Sequence, residues 1–586
     1  MIRTFLFLWI FSISIYGSSQ IIPDDRRTDW SIAGLAEAIN EPELIINIMD
    51  LGASGDGITD DTEFLLQAIG NLNGQAGVIF FPEGDYLITS TIILPDSCII
   101  SGVDSISTQL IFNHNGQANS CFTITGQSSS DFIPVLTDLE TGSTTMEIEP
   151  IEDIETGDYI ELIQDNGEWD TNPISWGDNA VGQLLHITDI NGSSIEFEHP
   201  LRINYSTELN PRIRKLTPKT HISIRNLKLI RQDEPLEGAG YNIQFEKAKN
   251  CQVINIESEY SVGSHIYFGT SMQCEVKDSY FHDAFTFDGT GTRGYGITLN
   301  HHTGECLIEN NIFKKLRHAM MVKTGANGNV FGYNYSIEPY RSENIHDYTA
   351  DISLHGHYAF SNLFEGNICQ NIIIDHYWGP SGPLNTFFRN RAELYGIIVT
   401  YINIPLITSD QNFVGNEITN TNFLYGNYDI HGENHLEYGN NSPEGYLPEP
   451  INSLVDSSYY LLNKPAFWIV NYPWASIGFP YDLDEYSNPA RDRYLGLLPI
   501  DIQKTKIPEI SVFPNPAHNY INIKYEHLYD HMSLQLYDMK GCLIFEKQNP
   551  YQGDIIQLDL RTIPQGLYQL VISTEKNYLA TSILIQ

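Results

Sequence analysis

Between residues 251 and 416 short runs of β-type residues alternate with turns, and the helical period of 3.6 is missing. The pattern repeats as a hexamer: CQVINI at Cys251, CEVKDS at Cys274, CLIENN at Cys306, NVFGYN at Asn329, NLFEGN at Asn362, NTFFRN at Asn385 and QNFVGN at Gln411. Start-to-start spacings are 23, 32, 23, 33, 23 and 26 residues. Such a period marks a solenoid, in which each unit buries its apolar face only against its neighbours. The sixth position of the last five hexamers is Asn311, Asn334, Asn367, Asn390 and Asn416. In stacked parallel strands equal positions lie about 4.8 Å apart, so these asparagines can bond to one another along the stack. The pattern predicts an all-β chain built on a right-handed parallel β-helix.

A strand precedes each hexamer: GSHIYFG from Gly263, YGITLNH from Tyr295, HAMMVKT from His318, DISLHGH from Asp351 and IDHYWGP from Ile374. Alternation predicts Ile266, Met321, Leu354 and Tyr377 inward. It predicts His265, Tyr267, His318, Asp351, His355, His376 and Trp378 outward. Lys323 falls just past its strand, beside Asn300 of the neighbouring coil. The two long repeats carry polar, aromatic loops at residues 281–294 and 336–349, next to this same face. Long loops beside a rigid scaffold predict a cleft.

Upstream, DLGASGDGITDDTEFLLQAI (Asp50–Ile69) ends in a helical pattern with Asp60 and Asp61 placed to cap it. Strands punctuated by Pro82, Gly84 and Pro95 follow. These residues resemble the N-terminal signature of the pectate-lyase-like β-helix superfamily, which includes rhamnogalacturonase-like and polygalacturonase-like proteins. The resemblance covers about 60 residues, and the repeats extend it to roughly residue 430. It implies the fold but leaves open lyases, hydrolases, epimerases and phage tailspikes. The last 80 residues change character. Val512–Pro516 (VFPNP), the LYDxKG run at Leu536–Gly541 and IPQGLY at Ile563–Tyr568 resemble a type IX secretion sorting domain. That resemblance implies the type IX machinery as a partner, export across an outer membrane, and then release or surface anchoring.

The expected organisation is a signal peptide at 1–19, an N-terminal cap and first coils at 42–134, and an inserted β-rich subdomain at 135–218. The main β-helix follows at 219–447, then an end-sealing segment at 448–500 and the sorting β-sandwich at 507–586. Within the insertion, Trp169 and Trp176 suit either local packing or contact with a sugar ring. The signal peptide is read from Arg3, the apolar run Phe5–Ile15 and the small residues that follow. No other stretch approaches transmembrane length.

Composition narrows the function. Asp and Glu number 73 against 32 Lys and Arg, a formal net charge of -41. That balance argues against nucleic acid, and a polyanionic substrate would need a locally basic site or a cation. The seven cysteines are irregularly spaced, and several share one repeat position, which favours burial in register over disulfides. The chain is read as a monomer.

The face described above can support β-elimination of a uronic-acid polymer. A base removes the proton next to the carboxylate, a cation offsets that carboxylate, and an acid protonates the departing oxygen. Lys323 suits the base, given desolvation. His301, His355 and His376 suit acid, base or carboxylate partner, with Asp351 beside them. Tyr267 and Trp378 offer sugar platforms, and His357 and Asn300 line the groove. β-Helix lyases use Ca²⁺ with an arginine base or a lysine–arginine pair, so the resemblance admits Ca²⁺. The pairs His301–His302 and His355–His357 form no closed zinc set. Hydrolysis ranks second, because it needs two carboxyls about 5 to 9.5 Å apart. Asp351 and Asp375 occupy unequal repeat positions, and Asp375 reads as an inward turn cap, while Asp283 and Asp288 lie in the first long loop. A non-catalytic glycan-binding solenoid is the third reading. Arg389 and Arg391, beside Glu365 and Glu393, read as a salt-bridged edge.

Overall fold

The computed structural model describes residues 21–149, 153–235, 240–288, 293–342, 349–400, 408–450, 456–497, 510–525, 532–538, 543–548, 555–574 and 578–585. The expected signal peptide and parts of both long loops (289–292 and 343–348) lie outside these residues.

The repeats stack as parallel coils. One inward column runs Ile266, Ile297, Met320, Ile352, Ile372, Ile397 and Tyr428, each paired with the next. The column faces a continuous apolar core. Phe331, Phe364, Phe387 and Phe413 stack through it at 5.1 Å per step. The asparagine ladder is present. Asn311 donates to Asn334 (3.1 Å), Asn334 to Asn367 (2.9 Å), Asn367 to Asn390 (2.8 Å) and Asn390 to Asn416 (3.1 Å). Asn440 extends it, accepting from Asn416 at 2.9 Å. A second ladder joins Asn329, Asn362, Asn385 and Gln411 at 2.9 Å per step. Each amide satisfies backbone groups that a turn would otherwise bury unpaired.

Register corrects several expectations. Met320, not Met321, lies in the core column. The strand that meets Ile352–Leu354 is Ile368–Ile374, so the IDHYWGP alignment starts three residues late. Tyr377 therefore sits on a turn with 69% of its surface exposed, rather than inward. The run Ile372-Ile373-Ile374 is apolar at every position, so alternation alone could not set its phase; pairing with Ile352–Leu354 does.

Helix Thr62–Leu72 buries Leu65, Ala68 and Leu72 over the first coils. Asp60 accepts from the Thr62 amide (3.0 Å), whereas the Asp61 carboxylate turns back to the Ser54 amide (2.7 Å). An antiparallel sheet that includes Tyr159–Gln164, Val181–Asn191 and Arg212–Thr217 has its own core. It docks on the coils through buried charge. Arg202 bonds Glu305 at 2.6 Å and Asn327 at 2.9 Å, while His302 meets Glu161 at 2.7 Å and the Asn179 carbonyl at 2.8 Å. Toward the C-terminal end, Tyr460 donates to Glu309 (2.7 Å) and the Gly478 amide to Glu417 (2.8 Å), tying residues 456–497 along the solenoid. The sorting domain comprises two antiparallel sheets around one core. Its Leu584 packs on Val78, Phe80, Ile99 and Val103 of the first coils. The six described cysteines are free and buried.

Candidate active site

Where each strand of the outer face ends, the next residue leaves the ladder and its side chain is available for chemistry. Gly269 pairs with Asn300, and backbone bonds from Lys323 to Leu299, His355 to Val322, Asp375 to Leu354 and Thr400 to Ile374 continue the stack. One row thus reads Gly269, Asn300, Lys323, His355, Asp375, Thr400. Asp375, expected inward as a turn cap, is instead the neighbour of His355.

Lys323 lies with its Nζ 5.1 Å from the centre of the Trp176 ring, contributed by the insertion. Burial alone lowers its pKa from 10.5 to about 8. Among the described residues its ammonium has no ion pair or hydrogen bond. Cation–π attraction offsets only part of the lost hydration, so the ammonium gives up its proton more easily than a surface lysine.

His355 is held at both ring nitrogens. Nδ1 lies 2.6 Å from Asp375 Oδ2, and Nε2 accepts from the Trp378 indole Nε1 at 3.1 Å. Burial would raise the Asp375 carboxyl, but the charge and hydrogen bond of His355 outweigh it and the pKa falls. Trp378 in turn meets Trp176 edge-on at 5.3 Å. Trp176 thus forms an aromatic wall linking Lys323 to the His355 side. His318 approaches with its ring 5.6 Å from that of His355, its Nδ1 3.1 Å from the Ala350 carbonyl. Burial, with His355 and Arg317 nearby, drops its pKa to about 3.

The other expected residues are placed as follows. His301 is half-buried, and burial plus the charges of His302 and Lys323 lowers its pKa to about 4. Asn300 donates to the Tyr267 hydroxyl (2.9 Å). Tyr267 is buried and stacked on Tyr241 at 4.5 Å, so it is not the open platform expected; exposed Tyr377 is better placed for that. His357 is fully buried against Trp176 (4.8 Å) and Trp169 (6.2 Å), 3.8 Å from Asp170, and burial lowers its pKa. His376 is buried, 3.3 Å from the Thr408 hydroxyl, and its pKa is likewise lowered by burial.

Asp351 stands apart from the row. It is buried at the opposite end of the strand from His355 and accepts from Ser336 (2.8 Å) and the amides of Gln370 (2.6 Å) and Asn371 (3.2 Å). Burial raises its pKa to about 6 despite those bonds. Asp351 is closed off from the groove it was expected to line, because its carboxylate is held by Ser336 and by the amides of the next coil. The two long loops meet each other: Asp288 accepts from the Ser342 amide at 3.0 Å, and Phe287 packs edge-on against Tyr340 at 4.6 Å.

The row itself supplies one carboxylate, too few for a Ca²⁺ cage of six to eight oxygens. Glu257, Glu259 and His282 form the one group of three potential metal ligands among the described residues. Lys228 already lies 2.6 Å from both glutamates there.

Residues 45–137 match the family model described as Rhamnogalacturonase A/epimerase, pectate lyase-like. Residues 511–586 match the model of the secretion system C-terminal sorting domain. A non-secreted LysM effector of Penicillium expansum is 34% identical over 58 residues, 10% of this chain and 5% of that protein. Among solved structures, the tailspike of Pseudomonas phage LKA1 is 15% identical with a TM-score of 0.46, over 64% of each chain. The A-module of a mannuronan C-5 epimerase from Azotobacter vinelandii is 12% identical with a TM-score of 0.31, over 68% of this chain and 90% of that one. Likeness at these TM-scores says nothing about chemistry. Residues 45–137 are thus similar to the pectate-lyase-like rhamnogalacturonase/epimerase family, and residues 511–586 form a sorting domain that directs the protein through type IX secretion to the cell surface or beyond.

Proposed function

We propose that the protein is a carbohydrate-active enzyme, a polysaccharide lyase that cleaves a uronic-acid-containing polymer by β-elimination. The observation that carries this reading is Lys323, with a pKa of about 8 and no ion pair among the described residues, one coil from the His355–Asp375 pair. Proton transfer at both ends of an elimination needs two groups that can carry an exchangeable proton, and this row sets a lysine beside a histidine. One member of the pair takes the proton next to the sugar carboxylate. The electron pair becomes the new carbon–carbon double bond as the bond to the glycosidic oxygen breaks, and the other member returns a proton to that oxygen. The Lys323 ammonium is also the charge that offsets the sugar carboxylate on an otherwise acidic chain. The family matched at residues 45–137 is named for pectate lyase, rhamnogalacturonase and epimerase, which supports such a polymer as substrate.

Glycoside hydrolysis is disfavoured because Asp351, the second carboxyl expected near Asp375, is fastened elsewhere. Non-catalytic glycan binding draws support from exposed Tyr377 beside Trp378. A panel of anionic and neutral polysaccharides separates the three. Elimination gives an ultraviolet-absorbing unsaturated sugar, and hydrolysis gives reducing ends without it. Polymer retained but uncut would mean a binder. Lys323→Ala should lose most of any elimination, and full activity in that variant would sink the proposal.

A further inference from the structure

The hydrogen bonds around His355 decide which member of the pair takes the proton. An indole N–H is a donor only. With Trp378 Nε1 3.1 Å away, His355 Nε2 must present a lone pair. The proton of the neutral ring is then on Nδ1, donated to Asp375 Oδ2 at 2.6 Å. In water neutral imidazole side chains favour the opposite Nε2–H form. Asp375 and Trp378 lie three residues apart in one turn and grip the ring from both edges.

That turn is fixed by its surroundings. The insertion's Asn172 donates its Nδ2 to the Tyr377 carbonyl at 2.8 Å. Below it, Gly356 takes a φ of +75°, and a β-carbon there would come within 2.8 Å of the Gly379 carbonyl and 3.1 Å of the Trp378 side chain. Trp378 therefore cannot drift from His355 without moving a packed backbone.

We infer that Asp375 and Trp378 are positioning residues that lock His355 in the Nδ1–H tautomer, making its bare Nε2 the proton acceptor and Lys323 the proton donor. The catalytic meaning rests on the reading given under Proposed function; the tautomer does not. In the elimination, the proton next to the carboxylate moves to His355 Nε2, and its electron pair forms the double bond. The carbon–oxygen bond breaks, and the freed oxygen takes a proton from the Lys323 ammonium. The imidazolium keeps its Nδ1–H on Asp375, whose charge stabilises it, and the indole must release Nε2. After product leaves, solvent returns the proton from His355 to Lys323. This reverses the role expected for Lys323 from sequence.

The test uses the full chain, free of ligand, with its histidine rings labelled with nitrogen-15. His355 is assigned by the signals lost in His355→Gln. The expected result at neutral pH is a protonated Nδ1 and a bare Nε2. In the double variant Asp375→Asn/Trp378→Phe the ring should move toward Nε2–H while the other histidine signals stay in place. A wild-type ring already in the Nε2–H form, or a double variant with unchanged nitrogen signals, overturns the inference. Where a polymer is cut by the wild type, Asp375→Asn should lower kcat by about 100-fold or more with little change in KM. An effect on KM alone would also overturn it. If no polymer is cut, the lyase reading falls and the ring-nitrogen result still decides the tautomer.

Discussion

The Nδ1 of His355 lies 2.6 Å from the Oδ2 of Asp375, and the two residues occupy the same position on successive coils of the solenoid. A β-helix repeats its geometry, so side chains about 20 residues apart in sequence become neighbours about 4.8 Å apart in space. The fold supplies a rigid row, and the residue types written on it supply the chemistry.

Lys323 makes the protein less stable than an apolar residue would. Its folded pKa, about 8, lies below the unfolded 10.5. Between those values the unfolded chain binds more protons, so this residue makes stability rise with pH from about 8 to 10.5, and its penalty is fully present below 8. Lys323→Met should therefore raise stability at pH 7 by about 1–2 kcal/mol and remove that rise. Urea melts of both proteins at pH 7 and pH 10 check this; equal stability at pH 7 would contradict it.

Asn367 carries four bonds of its ladder. It accepts from the amide and side chain of Asn334 and donates to the Phe331 carbonyl and Asn390. Asn367→Ala takes the acceptor from the buried Asn334 amides and the donor from the Phe331 carbonyl and Asn390 Oδ1, and should cost about 2–5 kcal/mol in denaturant unfolding. A loss under about 1 kcal/mol would mean that water replaces the amide.

Gly177 holds the insertion against the row. A β-carbon there would fall 2.4 Å from the His357 ring. Gly177→Ala should push back the neighbouring Trp176 and withdraw its ring from Lys323, raising the lysine pKa above 8 while the coils stay folded. Titration of the Lys323 side chain by NMR reads this directly; an unmoved titration would show that the loop adjusts.

Leu584 joins the sorting domain to the first coils by filling the patch of Val78, Phe80, Ile99 and Val103. Leu584→Asp should free the domain and enlarge the particle in small-angle scattering with little loss of β-helix stability. Cutting the chain after Leu498 should likewise leave the coils and any activity intact, but with this apolar patch uncovered and a greater tendency to associate. Unfolding of the coils in either case would show that the two parts form one cooperative unit.

Sequence by itself determined the coil. A hexamer repeated at 23-residue spacings leaves few folds that satisfy every asparagine, and Asn311 through Asn416 are bonded as their period requires. It also placed Lys323 beside Asn300 just past a strand and His355 on the outward side, while pairing of Val322 with Leu354 brought His355 into the same row. The sorting domain was legible from three short motifs, although Met539–Gly541 of the second lie outside the described residues. Only the tertiary structure decided the rest. The triple isoleucine before Asp375 carries no phase, so pairing with the coil below was needed to set that aspartate beside His355 rather than inside. Trp176 reaches Lys323 from an insertion more than 140 residues away in sequence, a contact that no periodicity encodes. Outward position did not mean exposure either. His318, Tyr267 and Asp351 are buried because neighbouring side chains and backbone cover them, and that cover is what shifts their protonation.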